Sequence, residues 1–222
     1  MLLILARHGN TFGPEDTPVW VGANEDLPLT EQGLEQSREI GRAIRSAGVV
    51  LDRILAGPLK RTRTGARLAG ESCGFTGEVE IDERLREIDY GVWGGKSDAE
   101  IAETWGEAAI RDWRERSIPP SGAGWSPSPS TLRDNARAVF KSVTRERDPD
   151  AAVLVVTSNG VLRYFHRLLA GDDAPVGDAK VRTGHMCAAR IGEDGAVELL
   201  SWNAAPDAVR LDAAPAGGGG AP

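Results

Sequence analysis

The sequence predicts an α/β fold, a three-layer α/β/α sandwich built around a mostly parallel central sheet. Three observations point there. Short apolar runs at Leu2–Ala6, Leu51–Ala56 and Val153–Val156 read as buried strands, the first and last uninterrupted. Stretches with helical patterning alternate with these strands, as crossover connections between parallel strands require. A chain of 222 residues, 41% hydrophobic and 27% charged, has the size and composition of one soluble domain with ample core.

The elements follow in order. After the first strand a long polar loop runs to Thr30, which is placed to cap a helix reaching about Ala47. Leu34, Ser37, Ile40, Gly41, Ile44 and Ala47 share one face of that helix. Behind the second strand, Pro58 suits the first turn of a helix carrying Lys60, Arg61, Arg63 and Arg67. Glu78–Ile81 is a short strand. Residues 97–116 read as a helix with Ile101, Trp105, Ile110 and Trp113 available to pack. Ser117–Ser130 holds four prolines and two glycines and must be a loop. A helix over Thr131–Arg147 leads to the strand Val153–Val156, and Val161–Phe165 opens another helix after the turn "TSNG". Met186–Ile191 and Val197–Trp202 complete the set, joined by the turn "GEDG". The domain is expected over residues 1–203, and 204–222, rich in Ala, Pro and Gly, as a flexible tail.

Charge and cysteine usage narrow the class. A net charge of −7 and a pI near 5.1 argue against a nucleic-acid or membrane-surface binder, although they leave room for a local basic pocket. Cys73 and Cys187 match no metal or redox spacing and read as reduced thiols of a cytoplasmic protein. The apolar start "MLLILA" is too short for a membrane span and lacks the flanks of a signal peptide.

Open α/β sheets gather ligands at the C-terminal ends of their strands, and the informative residues fall there. The first strand delivers "RHGNT", Arg7 to Thr11. A histidine makes a good nucleophile, a neighbouring glycine lets a tetrahedral group approach, and an arginine offers a fork of donors to phosphate oxygens. The second strand delivers "GPLKRT", which puts Arg61 near a helix start. The "TSNG" turn presents free backbone N–H groups at a helix N-terminus. The loop "LREIDYGVWGG" adds Glu87. Each residue alone has a duller reading as structural or solvated. Together, one nucleophile, two arginines and a carboxylate are a kit for phosphoryl transfer.

"LARHGNT", "LPLTEQGLEQ", "GPLKRTRTGA" and "LREIDYGVWGGK", in this order and spacing, resemble the histidine phosphatase superfamily, the phosphoglycerate mutase-like proteins, over residues 2–203. The resemblance implies a phosphatase that works through a phosphohistidine on a small phosphorylated metabolite, without metal or cofactor. His8 is then the nucleophile, Arg7 and Arg61 hold the phosphoryl oxygens, and Glu87 protonates the leaving oxygen. Asn10 and Thr11 occupy positions where the family has similar polar residues, and Tyr90 one that lies near substrate in the mutases. The resemblance also implies an insertion around the loop Ser117–Ser130 that is shorter and less basic than in cofactor-dependent mutases, which points away from a mutase acting on phosphoglycerate.

One part of the pattern is broken. The family's second histidine falls on Ser158, and Asn159 replaces a glycine. Ser158 and Asn159 therefore stand as candidate phosphate or substrate ligands. His185, in "RTGHMC", precedes a strand at the same sheet edge and is the candidate to enter the pocket instead, ahead of His166. Trp125, with Trp105 and Trp113, either lines an apolar lid or only packs the insertion. Three outcomes stay open: a working phosphatase with a retuned pocket, a weak or inactive relative that binds a phosphorylated or acidic ligand, or a site adapted to other chemistry. Retention of His8, both arginines and Glu87 favours the first.

Overall fold

The computed structural model describes residues 1–145, 149–171 and 179–211. Its centre is a six-stranded sheet of β1 (Leu2–Arg7), β2 (Arg53–Ala56), β3 (Val79–Ile81), β4 (Ala152–Thr157), β5 (Met186–Ile191) and β6 (Val197–Ala204), in the order β3-β2-β4-β1-β5-β6. The first four neighbours run parallel; β5 runs antiparallel to β1, and β6 antiparallel to β5. The expected mostly parallel sheet is present.

Period-two alternation builds the two faces. Leu3, Leu5, Val153, Val155, Cys187 and Ala189 point to one side, against α5 (Pro129–Val143) and α6 (Asn159–Ala170). Ile4, Ala6, Leu154, Val156, Met186 and Ala188 point to the other, against α1 (Glu31–Ser46) and α2 (Lys60–Cys73). Each fully buried aliphatic side chain contributes about 1.5–3 kcal/mol, so central strands covered on both faces set the frame's rigidity. A third cluster lies outside the sandwich: Ile88, Tyr90, Trp93, Ile101, Ile110, Trp113 and Leu132 pack α3 (Asp98–Trp105) and α4 (Glu107–Arg116) into a cap. Among the described residues no helix is long and apolar enough to cross a membrane.

Several boundaries differ from expectation. Thr30 caps α1 as foreseen, its hydroxyl accepting from the Gly33 N–H at 3.1 Å. Pro58 is not in the helix: Leu59 is the N-cap of α2. The helix expected over 97–116 is two, because Gly106 at φ +77° ends α3 and starts α4. α5 begins earlier than Thr131, since Ser128 caps it by accepting from the Thr131 N–H and Pro129 opens its first turn. It ends at Val143, and Arg147 lies outside the described residues. Beyond residue 203 the chain continues in contact with the sandwich, with Leu211 buried in the α1–α2 side core. The rest of the expected tail, 212–222, lies outside the described residues. Cys73 and Cys187 are both free thiols.

Candidate active site

Strand register assembles the site. Arg7 pairs with Thr157, Ala6 with Val156, and Val156 with Ala56, so β1, β4 and β2 end level. The His8 N–H donates to the Thr157 carbonyl at 3.1 Å, extending the β1–β4 pairing one residue past the sheet. Gly9 then lies against Gly33 in the first turn of α1. A Cβ on Gly9 would overlap the Gly33 carbonyl, and one on Gly33 would overlap that of Asn10. This backbone-to-backbone contact fixes the loop that carries His8.

His8 is 6% exposed, and its Nδ1 lies 2.7 Å from the carbonyl oxygen of Gly9. A carbonyl only accepts, so Nδ1 carries the hydrogen and Nε2 keeps its lone pair on a ring that lines a cleft of about 480 Å³. Burial, and then the neighbouring Arg7 and Arg61 cations, hold the imidazole pKa well below its ordinary value. The ring is therefore neutral and nucleophilic at neutral pH.

The two arginines line the cleft and are anchored to backbone carbonyls. Arg7 donates through Nη1 to the Val181 carbonyl at 2.8 Å, and its buried Nε has no partner among the described residues. Arg61, in the first turn of α2 and 2% exposed, donates through Nη1 to Glu25 O at 2.9 Å and Nη2 to Gly22 O at 2.8 Å. Gly22 has φ +60°, the left-handed conformation that turns its carbonyl to this task. Burial lowers both guanidinium pKa values, and Glu87 works against that shift in each case. Anchoring to carbonyls leaves the charge of both groups for an anion in the cleft.

Glu87 is 7% exposed and lines the cleft. Its Oε1 accepts from its neighbour Ile88 N–H at 2.9 Å and its Oε2 from Gly160 N–H at 3.3 Å. Tyr90 also lines the cleft; burial, then Glu87, push its phenol pKa well above the ordinary value, so it stays neutral. Trp20 meets the Tyr90 ring edge-on at 5.0 Å. Asn10 and Thr11 line the cleft as well, with the Asn10 amide engaged by Gln32 and Thr183.

The "TSNG" turn divides its work between two residues. Asn159 lines the cleft, and its Oδ1 accepts from Val181 N–H at 2.8 Å, so the donor it can still offer is Nδ2. Ser158 does not line the cleft: it is fully buried, and its Oγ has no partner among the described residues. A serine side chain is too short to carry a donor from the N-cap of α6 to where an imidazole reaches. His185 is not brought to the site either. It faces α1, lining a separate recess with Gln36 and Arg42, with Nδ1 2.9 Å from Asn203 O. The strand edge is the expected one, but the ring leaves it on the opposite side. His166 is buried against Trp202.

Sequence reasoning missed several cleft residues. Phe12, Trp20, Asp98, Arg114, Arg163, Lys180 and Thr183 line it, together with Trp113 of the anticipated lid. Trp125 instead packs among Trp20, Tyr90, Trp93 and Trp113, and Trp105 rests on Trp93. For Arg163 a signal existed: a lone cation inside the apolar run "GVLRYF". Among the described residues no three His, Cys, Asp or Glu side chains converge as a metal-ligand set.

Residues 3–205 match the family model described as the histidine phosphatase superfamily, branch 1. A 2,3-bisphosphoglycerate-dependent phosphoglycerate mutase of Parvibaculum lavamentivorans is 38% identical over 124 residues, 54% of this chain and 58% of that protein's length. One from Methylorubrum populi is 29% identical over 204 residues, 89% of this chain and 92% of its own. The fold superposes on a mycobacterial glucosyl-3-phosphoglycerate phosphatase with TM-score 0.74 at 22% identity, covering 92% of this chain and 99% of that one. It also superposes on a putative alpha-ribazole-5'-P phosphatase of Escherichia coli, TM-score 0.71 at 24% identity, covering 96% and 99%.

Proposed function

The chain belongs to the histidine phosphatase superfamily, and on that premise we propose that it is a metal-independent phosphomonoesterase acting through a phosphohistidine at His8. The observation that carries the reading is the His8 tautomer: Nδ1 is committed to Gly9 O, so Nε2 keeps the lone pair on a ring that lines one cleft with Arg7, Arg61 and Glu87. Nε2 attacks phosphorus, the P–O ester bond breaks, and Glu87 gives a proton to the departing oxygen. A water then attacks the N–P bond, Glu87 takes its proton, and inorganic phosphate leaves with Nε2 restored. Arg7 and Arg61 offset the charge on the transferring oxygens throughout. The substrate is a small phosphorylated metabolite, and two free thiols suit a reducing, cytoplasmic setting.

The test is steady-state turnover of a panel of phosphomonoesters, including sugar phosphates, nucleotides, p-nitrophenyl phosphate and 3-phosphoglycerate. Phosphate release by the wild type, absent in His8→Ala, supports the reading; no release from any ester sinks it. A mutase, the activity named for the relatives from Parvibaculum and Methylorubrum, would instead interconvert phosphoglycerates with little free phosphate.

A second reading has its own observation. Ser158 places no donor in the cleft, and losing a preorganised donor costs on the order of 10²–10³ in rate. A regulatory relative that binds phosphorylated ligands without turnover fits that loss. It predicts calorimetric binding of phosphate, weakened by Arg61→Ala, in a protein that hydrolyses nothing.

A further inference from the structure

Three consecutive peptide units carry the His8 loop, and the middle one is held differently from its neighbours. The His8 carbonyl accepts from the Gly184 N–H at 3.2 Å, and the Asn10 carbonyl from the Thr30 N–H at 2.9 Å, both backbone bonds. The unit between them joins Gly9 to Asn10. Its carbonyl is the acceptor for His8 Nδ1 at 2.7 Å, and its N–H donates to Gln36 Oε1 at 2.8 Å. Among the described residues, the Gln36 side chain is thus the one group besides His8 hydrogen-bonded to the plane that selects the His8 tautomer.

Peptide geometry makes that bond consequential. In a trans peptide the C=O and N–H point to opposite sides of one rigid plane, so anchoring the N–H aims the carbonyl. Glycine at position 9 lowers the steric resistance to turning that plane. The Cβ that would stiffen it cannot be added, because it would overlap the Gly33 carbonyl. Engaging the N–H also polarises the amide and strengthens its carbonyl as an acceptor.

Gln36 is itself well fixed. It stands on α1, the helix capped by Thr30, and its stem packs against Gly184. A Cβ on Gly184, at φ +72°, would come within 2.8 Å of Gln36 Cβ and 3.0 Å of its Cγ. Only the amide oxygen can meet an N–H, which sets the orientation of the Gln36 amide. Gln36 lines the recess of about 700 Å³ that also holds His185, rather than the cleft, so it acts without touching substrate. Both links between it and the ring are uncharged. They can orient the imidazole without drawing a second proton onto it.

We infer that Gln36 is a positioning residue for the nucleophile, holding the Gly9–Asn10 plane so that His8 keeps its hydrogen on Nδ1 and its lone pair on Nε2. The consequence for rate rests on the phosphohistidine reading; the consequence for the tautomer does not.

The test removes the acceptor and reads the ring directly. Gln36→Met and Gln36→Leu both put a good helix former of similar bulk at the position. Nitrogen NMR of the histidine rings in the full-length protein, at about pH 8 where an ordinary imidazole is neutral, reports the tautomer. The His8 signals are those missing from His8→Ala. The wild type should show hydrogen on Nδ1, and both variants a mixture with the Nε2–H form. On whichever ester of the panel the wild type turns over, kcat should fall about 10–10²-fold, the range for partners that orient a reacting group, with KM within about twofold. Gln36→Glu retains an oxygen acceptor and should restore both the Nδ1–H form and most of kcat. An Nε2–H ring in the wild type, an unchanged ring in the variants, a change that Gln36→Glu does not reverse, or wild-type kcat beside a changed ring overturns the inference. Failure of the phosphatase reading instead shows as absent hydrolysis by the wild type while the tautomer still changes with Gln36.

Discussion

Glu87 and Gly160 are fitted to one another. The Gly160 N–H donates to Glu87 Oε2 at 3.3 Å, and a Cβ on Gly160 would overlap Oε1. The same Cβ would come within 2.9 Å of Ile88 Cδ1 and 3.0 Å of the Tyr90 hydroxyl. Glycine is thus the only residue that lets α6 begin this close to the carboxyl group. The first turn of α6 sets where the proposed proton donor stands.

Gly160→Ala should therefore act on catalysis. In an unobstructed helix the change would add about 1 kcal/mol of stability; here the methyl group must displace the carboxyl. The expected outcome is a fall in kcat of about 10²-fold, the range assigned to a positioned acid or base, with KM changed much less. Glu87→Gln should produce a loss of similar size, and combining the two should cost little more than either alone. Additive losses would show that Gly160 acts elsewhere.

His8 gives a pH signature. Its folded pKa is depressed, by burial first and the two arginines next, so below about pH 6.5, the ordinary imidazole value, the unfolded state binds a proton that the folded state does not. Stability from this group is fully present above that pH and is lost as pH falls toward the folded pKa, at up to about 1.4 kcal/mol per pH unit. Urea unfolding of wild type and His8→Gln between pH 7.5 and 5 should show the wild type losing its relative stability across that window. For the same reason the acid limb of kcat/KM should lie below pH 6.5, the neutral ring being the reactive one.

Much of this was legible in the sequence, for reasons that particular residues make plain. The central strands announced themselves because burial on both faces demands unbroken apolar runs such as Leu2–Ala6 and Val153–Val156. His8, Arg7, Arg61 and Glu87 line one cleft, since strand-end placement follows from parallel topology. What failed was side-chain direction and local breaks. His185 stands at the right strand edge, yet its ring turns toward α1, a matter of rotamer and twist that spacing does not encode. Gly106 splits a helix because it adopts φ +77°, and a lone glycine in a helical pattern does not announce that choice. Arg163 and Lys180 reach the cleft only through tertiary packing, which spacing along the chain does not encode.

Arg61 should tolerate even a conservative exchange poorly. Its two Nη groups hold the carbonyls of Glu25 and Gly22, and a lysine ammonium cannot span both acceptors and still face the cleft. Arg61→Lys keeps the charge but loses the fork, so kcat/KM should drop by about 10²-fold while phosphate still binds detectably. Arg61→Met should lose binding as well and shift the acid limb of the pH profile upward relative to Arg61→Lys. The sign follows because removing a neighbouring cation favours the protonated His8 ring. Identical profiles for the two variants would remove Arg61 from the set of groups that tune His8.

Ser158 offers the sharpest test of how far the site has departed from its family. Its hydroxyl is buried, has no partner among the described residues and makes no capping bond to α6, so Ser158→Ala deletes a polar group that has lost water without gaining a partner there. An unsatisfied buried group costs about 1–3 kcal/mol, and the alanine variant should be more stable by about 1 kcal/mol in urea titration. Ser158→His places an imidazole at the position where the resemblance puts the family's second histidine, next in sequence to the cleft residue Asn159. If the serine is only a handicap, kcat/KM for p-nitrophenyl phosphate should rise by about 10–10²-fold, approaching the contribution of one preorganised donor. If the cleft has been refitted around Asn159 for an acidic ester, the same substitution should lower kcat/KM for that ester while p-nitrophenyl phosphate gains. Comparing the two substrates on one variant separates a weakened enzyme from a specialised one.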